Sequence, residues 1–476
     1  MRPMFFILFA ALSLNLMAGL SVKNKKPQEP QKIADEVQKA LAPSDISSIL
    51  ARIRVEDAQF RAFNLFLPPC ELGAMTPIEK KRALEVRQVL ERDLAISGSF
   101  HLMTEATKLG TDELLKQKGA EGSSRCQMSF RGQKLRAIID HKNFLSGKTS
   151  RRSFEQEFGQ HRRLAHLMAQ SIFEEFIGPE DLFLLQIAAV KRQKNNSQIV
   201  MFDFDGHNES AISTNTWGKA SPFFAPDGKS ILYSITNNEG HGIVEQTIGL
   251  PTFQFRLKVT GLNIDPRVLP DNNGLLATLS FGKMANIYRT TRAGDIIGPV
   301  TENKGMNLSP AISPDGKMLA FVSNRGGSAQ IYEQELSGQI AKTAAGAPIA
   351  AIAAASTAAA KKTPEATRLT YKGDYNQTPQ YSPDGRLIAF TGRDQNAVFD
   401  IYLYERESKN TLRVTQNQGR NQEPFFTPSG RFIIFVSMRD GHKEPDVYLA
   451  NLQGNHQYRL TNTGGYYSPI VRPLQK

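Results

Sequence analysis

Six residues of this chain stand directly before a proline and are small, hydroxylated or acidic: Ser221, Asp265, Ser309, Thr378, Glu423 and Ser468. Hydroxyls donate and accept hydrogen bonds and carboxylates accept them, so the set suits recognition of another molecule. Nucleophilic catalysis is a poorer match. A serine hydrolase needs a GxSxG elbow, and the nearest approach, Gly326-Gly327-Ser328-Ala329-Gln330, lacks the final glycine. Metal chemistry has little support either: the eight histidines show no HExxH spacing. Asp203, Asp205 and Asn208 lack the further oxygens and the distal glutamate of a calcium loop, and read as a hairpin turn. No cofactor or metal is expected.

The elements that position the six residues repeat with them. The prolines at 222, 266, 310, 379, 424 and 469 are spaced 44, 44, 69, 45 and 45. Four residues after each of the first five comes a second proline that opens a turn: Pro226-Asp227-Gly228, Pro270-Asp271-Asn272, Pro314-Asp315-Gly316, Pro383-Asp384-Gly385 and Pro428-Ser429-Gly430. Proline presets φ, and Asp, Asn and Gly tolerate the tight geometry, so each closes a hairpin. Apolar runs follow, such as Ile231 to Ile235 and Phe432 to Val436, then a third strand at Ile287-Tyr288, Ile331-Tyr332, Ile401-Tyr402 and Val447-Tyr448. A fourth strand is marked by Arg368-Leu369-Thr370 and Arg459-Leu460-Thr461.

Four short strands in about 44 residues is the period of a β-propeller blade. Strand material at Leu184 to Val190 and Ile199 to Asp203 precedes the first full repeat, and the last repeat stops after Ser468-Pro469-Ile470-Val471. If that last strand completes the first blade, six blades close into a ring without exposed edges. The single long spacing is explained by an Ala-rich loop insertion at 341–365 in the fourth blade.

Upstream of the repeats the pattern is α/β. Phe63 to Leu67 reads as a strand, and Thr76, Pro77 and Glu79 supply an N-cap, a first-turn proline and a capping-box acid for a helix ended by Gly98. Ser99 to Met103 is a strand, Asp112 to Lys118 a short helix, and Met128 to Phe130 pairs with Leu135 to Ile139 in a hairpin. Ser153 and Gln156 open a long helix carrying Leu164, Met168, Ile172 and Phe176. The fold class is therefore an α/β N-terminal domain, residues 56–180, followed by an all-β six-bladed propeller, residues 181–476, closed by its C-terminal strand.

Composition sets the remaining bounds. The chain of 476 residues has a net charge of +12, but the basic excess divides evenly between residues 1–180 and 181–476. A solvated surface, and no nucleic-acid partner, is the reading. Arg2 followed by Met4 to Val22 without a charge is a signal-peptide pattern, so residues 1–22 direct export, as a cleaved signal or an uncleaved membrane anchor, and residues 23–55 form a flexible arm. In that oxidising space the only cysteines, Cys70 and Cys126, are either a disulfide or two buried thiols.

An exported α/β domain before a six-unit propeller with SPDG turns resembles the TolB family, the periplasmic propellers of the Tol-Pal system of Gram-negative envelopes. Phe202-Asp203-Phe204-Asp205-Gly206-His207-Asn208, Arg162-Arg163, Ala165-His166, Ile172-Phe173-Glu174 and Tyr467-Ser468-Pro469 carry the likeness, which covers about residues 60 to 476. It implies a non-enzymatic, monomeric scaffold for outer-membrane integrity and constriction during division. It also implies a peptidoglycan-associated lipoprotein bound at the propeller mouth and a TolA-like inner-membrane protein bound by the N-terminal arm. Family contact positions match Leu262, Asp265 and Leu308. In a propeller the innermost strands line the channel, so Ser221, Ser309, Thr378, Glu423 and Ser468 join them in one ring, with Asn307 and Asn376 from a recurring set (Asn263, Asn307, Asn376, Asn421). For the asparagines, caps of local turns are the competing reading. Rival functions are a propeller-linked peptidase and a glycan-binding propeller using Trp217 and Tyr466-Tyr467.

Overall fold

The structure, a computed structural model, describes residues 62–104, 111–194, 196–281, 284–301, 304–336, 364–394, 397–439 and 441–473. The signal segment, the arm and nearly all of the Ala-rich insertion lie outside the described residues. Among those described, no helix is long and apolar enough to cross a membrane. Contacts divide the chain into two units, with a boundary along the chain between Leu185 and Gln186.

The N-terminal unit is built on one mixed sheet in the order Phe100–Met103, Phe63–Phe66, Gly122–Arg131, Lys134–Asn143, Thr149–Glu157, with Glu71–Leu72 also pairing Gly122–Arg131. Phe63–Phe66 runs parallel to both of its neighbours, and the last three strands are antiparallel. The helix Pro77–Ser97 starts as its residues dictate. Thr76 Oγ1 accepts the Glu79 N–H, Glu79 Oε2 accepts the Thr76 N–H at 2.7 Å, and Gly98 ends the helix at φ 63°. Cys70 and Cys126 are joined in a disulfide.

One sequence expectation fails here. Ser153 and Gln156 do not open the long helix; Thr149–Glu157 is a strand on Lys134–Asn143, with Ser153 opposite Ile138. The helix begins only at His161, after a single 3-10 turn over Phe158–Gln160. Ser150, Phe154 and Gln156 are half-covered while their neighbours are exposed, a period-two pattern, and Gly159 separates it from the helical stripe of Leu164, Met168 and Ile172. The hairpin before it is also longer than expected, reaching Gly122 and Asn143 around Gly132-Gln133.

The second unit contains six four-stranded antiparallel sheets among the described residues. Blade 1 is sealed by the C-terminal strand: Tyr466–Val471 pairs with Gln186–Gln193, which pairs with Asn196–Asp203 and then Ser210–Ala211. Blades 2 to 6 begin with Gly218–Phe224, Asn263–Val268, Asn307–Ile312, Tyr375–Tyr381 and Arg420–Phe426. Each proline turn closes by a hydrogen bond from its last residue to the residue before the proline, as from Gly228 N–H to Ala225 C=O at 2.8 Å. The second strands are the buried ones, and they pack between blades. Leu276 and Ile287 of blade 3 meet Leu319 and Phe321 of blade 4, and Val322 and Ile331 of blade 4 meet Ile388 and Phe390 of blade 5. Described strands on both sides of the Ala-rich segment, Gln330–Glu335 and Thr367–Arg368, belong to blade 4 and pair with each other.

A polar clasp repeats between blades. Thr415 Oγ1 donates to Asp400 Oδ1 at 2.6 Å, and Asn421 Nδ2 of the next blade donates to the same oxygen at 2.8 Å. Gln330 accepts from Thr370 and Asn376 in the same way at 2.7 and 2.8 Å, and Asn286 accepts from Thr301 and Asn307 at 3.3 and 2.6 Å. These groups are buried, so each missing partner would leave a desolvated polar atom.

Candidate functional site: the propeller channel

The six innermost strands share one irregularity. In each, pairing with the second strand shifts by one residue at the X-Pro step, for example between Ala220 and Phe223 or Gln422 and Phe425. The residue before proline is left-handed in all six: Ser221 at φ 49°, Asp265 at 54°, Ser309 at 51°, Thr378 at 52°, Glu423 at 58° and Ser468 at 48°. Such a bulge re-aims a side chain, and for a non-glycine residue the left-handed region costs about 1 kcal/mol or more. The sequence marks these six positions but not this geometry. The signal was available in the strict X-Pro repetition, because a residue that recurs where the ladder must break marks a bulge.

The bulges bring the six residues together. They surround a cavity of about 180 Å³ in the channel, lined also by Leu262 and Leu308. Asp265 is its polar centre. Its Oδ1 accepts from Ser221 Oγ at 2.5 Å, and its Oδ2 accepts from both the N–H and the hydroxyl of Ser309 at 3.2 Å. Across the ring, Glu423 Oε2 accepts the Ser468 N–H at 2.5 Å, and Glu423 N–H donates to Thr391 Oγ1, itself hydrogen-bonded to Thr378 Oγ1. Burial pushes the Glu423 carboxyl above its ordinary range, opposed by the Ser468 donor and the field of Arg192.

Two expected members are elsewhere. Asn307 and Asn376 are buried in the clasps between blades, donating to Asn286 and Gln330, and do not line the cavity. Their reading as local turn caps holds in part: Asn376 Nδ2 also reaches Lys372 C=O at 3.0 Å, and Asn263 Nδ2 reaches Val259 C=O at 2.7 Å. The aromatic candidates separate as well. Tyr467 lines the cavity, while Tyr466 is buried with its hydroxyl on Glu209. Trp217 packs edge-on against Phe253 with ring centres 5.6 Å apart, away from the lining.

Three cationic residues of the lining carry no mark in the sequence: Arg192, Arg267 and Arg420. Each rests on an aromatic ring, with guanidinium-to-centre distances of 4.0 Å to Tyr467, 5.0 Å to Phe223 and 5.1 Å to Phe399. No spacing marks them, since the channel arginines sit at unlike repeat positions.

The other chemical candidates resolve into turns. Ser328 lies between two antiparallel strands, where Gly327 N–H donates to Asn324 C=O, and its hydroxyl accepts from Gln330 Nε2 at 3.1 Å. A nucleophile elbow joins a strand to a helix, which this turn does not. Asp203 accepts Gly206 N–H through its carbonyl and Asn208 Nδ2 through its carboxylate, closing the expected hairpin turn.

A family model described as the TolB beta propeller domain matches residues 173–357 and 362–475. The chain is 28% identical over 167 residues to the Tol-Pal system protein TolB of Legionella pneumophila, a match covering 32% of this chain and 38% of that protein. It is 37% identical over 83 residues to the Tol-Pal system protein TolB of Blochmanniella pennsylvanica, covering 17% of this chain and 18% of that one. The sequence matches thus span well under half the length of these relatives. The crystal structure of TolB from Acinetobacter baumannii aligns over 87% of this chain and 97% of its own, with a TM-score of 0.71 at 19% identity, which is a likeness of fold. With a six-bladed channel in place and the family model covering more than half of its residues, the chain belongs to the TolB β-propeller family of the Tol-Pal system.

Proposed function

We propose that this protein is a periplasmic scaffold of the Tol-Pal system. It binds a peptidoglycan-associated lipoprotein at the channel mouth and a TolA-like inner-membrane protein through residues 23–55, and so supports outer-membrane integrity and constriction during division. The observation that carries this reading is the ring itself. Six consecutive blades each contribute one polar residue to the same channel cavity, and Asp265 ties three of those blades together. A platform assembled from every blade presents a concave polar surface, the kind of surface that loops on a rigid scaffold offer a partner. The carboxylates of that ring are engaged in hydrogen bonds to neighbouring blades, an arrangement for holding shape and not for moving protons to a substrate.

The test is capture of a purified peptidoglycan-associated lipoprotein domain by the full chain, measured by calorimetry. Asp265→Arg combined with Leu308→Asp abolishes binding on this reading, with the far-UV circular dichroism unchanged. Undiminished binding by that variant places the partner elsewhere. Deleting residues 23–50 should leave the lipoprotein interaction intact and remove capture of the inner-membrane partner.

A further inference from the structure

Many arginines of the propeller hold a nearby acid. Arg256 and Arg292 share Glu245, Arg393 holds Asp374, Arg406 holds Glu333, Arg413 holds Asp400 and Arg459 holds Asp446. The three that line the channel do not: Arg192, Arg267 and Arg420 form no ion pair among the described residues. Each instead lies against an aromatic ring. A cation–π contact leaves a guanidinium its N–H donors for a further acceptor.

Arg267 adds an independent sign. Its Nη1 donates to Pro266 C=O at 2.8 Å, but its Nε is buried and has no hydrogen-bond partner. Burial lowers the pKa of this guanidinium, and the field of Asp265 only partly offsets it. A buried donor left without an acceptor is unfavourable, and an arriving anion removes that penalty. The cavity's own acids do not fill the role, because Asp265 is held by Ser221 and Ser309 and Glu423 by Ser468.

We propose that the channel takes a carboxylate of the docked partner, gripped by the guanidinium groups of Arg192, Arg267 and Arg420. This rests on the docking reading above and names the chemistry by which the mouth recognises its partner. The lining holds three arginines against the two carboxyl groups of Asp265 and Glu423, so its cations outnumber its acids and an arriving anion is favoured. The fork of arginine matches a carboxylate in two parallel hydrogen bonds.

Calorimetric titration of the full chain uses the lipoprotein domain, acetyl-Gly-Glu-Gly-amide, acetyl-Gly-Gln-Gly-amide, Gly-Gly-Gly with a free C-terminus, and inorganic phosphate. Binding of the glutamate peptide and not of its glutamine counterpart is expected. Arg192→Gln with Arg420→Gln should weaken it roughly tenfold or more, and Arg420→Lys less than Arg420→Gln. Arg267→Met tests the deeper group, with melting recorded for every variant. Preference for Gly-Gly-Gly over the glutamate peptide keeps the carboxylate and assigns it to a chain terminus. Equal binding of the glutamate and glutamine peptides, tighter binding of phosphate, or folded arginine variants that bind as the parent does would overturn the proposal. Should the lipoprotein bind the parent and the arginine variants alike, the docking reading stands and this one falls. Should the lipoprotein fail to bind while the glutamate peptide binds, the lipoprotein is not the partner and the carboxylate site remains for another.

Discussion

Asp265 and Ser221 stand at the same repeat position in adjacent blades, 44 residues apart, and the Ser221 hydroxyl donates to the Asp265 carboxylate at 2.5 Å. Because Ser309 of the next blade donates to the other oxygen, one carboxylate fixes three blades at the channel wall. Asp265→Ala removes the acceptor of three hydrogen bonds in a half-buried ring. Chemical denaturation should show a loss of about 2–3 kcal/mol, with smaller losses for Ser221→Ala and Ser309→Ala singly. Equal stability of Asp265→Ala and the parent would show that the bridge contributes nothing.

The left-handed bulges make a second prediction. Ser221→Val forces a β-branched side chain into φ near 49° and deletes the hydroxyl. A loss of about 2–3 kcal/mol is expected. Ser221→Gly loses the same hydroxyl but relieves the backbone, so it should differ from the parent by under about 1 kcal/mol. Urea midpoints of the pair decide, and the reverse order would remove the strain argument.

Much of this was legible in the sequence, for a definite reason. Propeller blades are specified locally: Pro-Asp-Gly turns and buried second strands sit at fixed spacing, so counting prolines located every blade and the strand that closes the ring. What was not legible depends on neighbours. Thr149–Glu157 carries serines and a glutamine that suit a helix start, and it becomes a strand because Lys134–Asn143 offers it an edge. The position held by Asn263, Asn307, Asn376 and Asn421 is occupied in blade 2 by Lys219, whose Nζ donates to the carbonyls of Ser197, Asn215 and Trp217. Nothing in its type announces that role, and burial lowers its pKa to about 8. At the site, the six ring residues were visible because they repeat. Arg192, Arg267 and Arg420 were not, because only the closed ring brings them together.

The N-terminal unit should carry a pH-sensitive stability. His141 is buried between Ser124 Oγ, 2.8 Å from Nδ1, and Ser171 Oγ, 2.9 Å from Nε2, and burial lowers its pKa to about 4. The fields of Glu175 and Asp140 oppose the shift and that of Arg152 adds to it. The unfolded chain therefore binds a proton that the folded unit refuses between about pH 6.5 and 4. Stability is full above that window and falls through it as pH drops, by about 3 kcal/mol for this one group. His141→Gln should flatten the slope. An unaltered slope in that variant assigns the dependence to other groups.

The disulfide offers a separate handle on the same unit. Cys70 and Cys126 are 56 residues apart in sequence, and closing a loop of that length restricts the unfolded chain, by about 2–4 kcal/mol. Cys70→Ser with Cys126→Ser should lower the melting of the N-terminal unit by that amount while the propeller transition stays in place. A matching fall in the propeller transition, or none in either, contradicts the assignment.

The central claim is that the channel mouth, and not an outer blade edge, holds the partner. A photo-crosslinking residue introduced at Leu308, on the cavity wall, is compared in intact cells with one at Leu250, an exposed leucine that follows the third strand of blade 2. Crosslinked peptidoglycan-associated lipoprotein from position 308 and none from position 250 is the predicted result; lipoprotein captured at 250 and absent at 308 would contradict it.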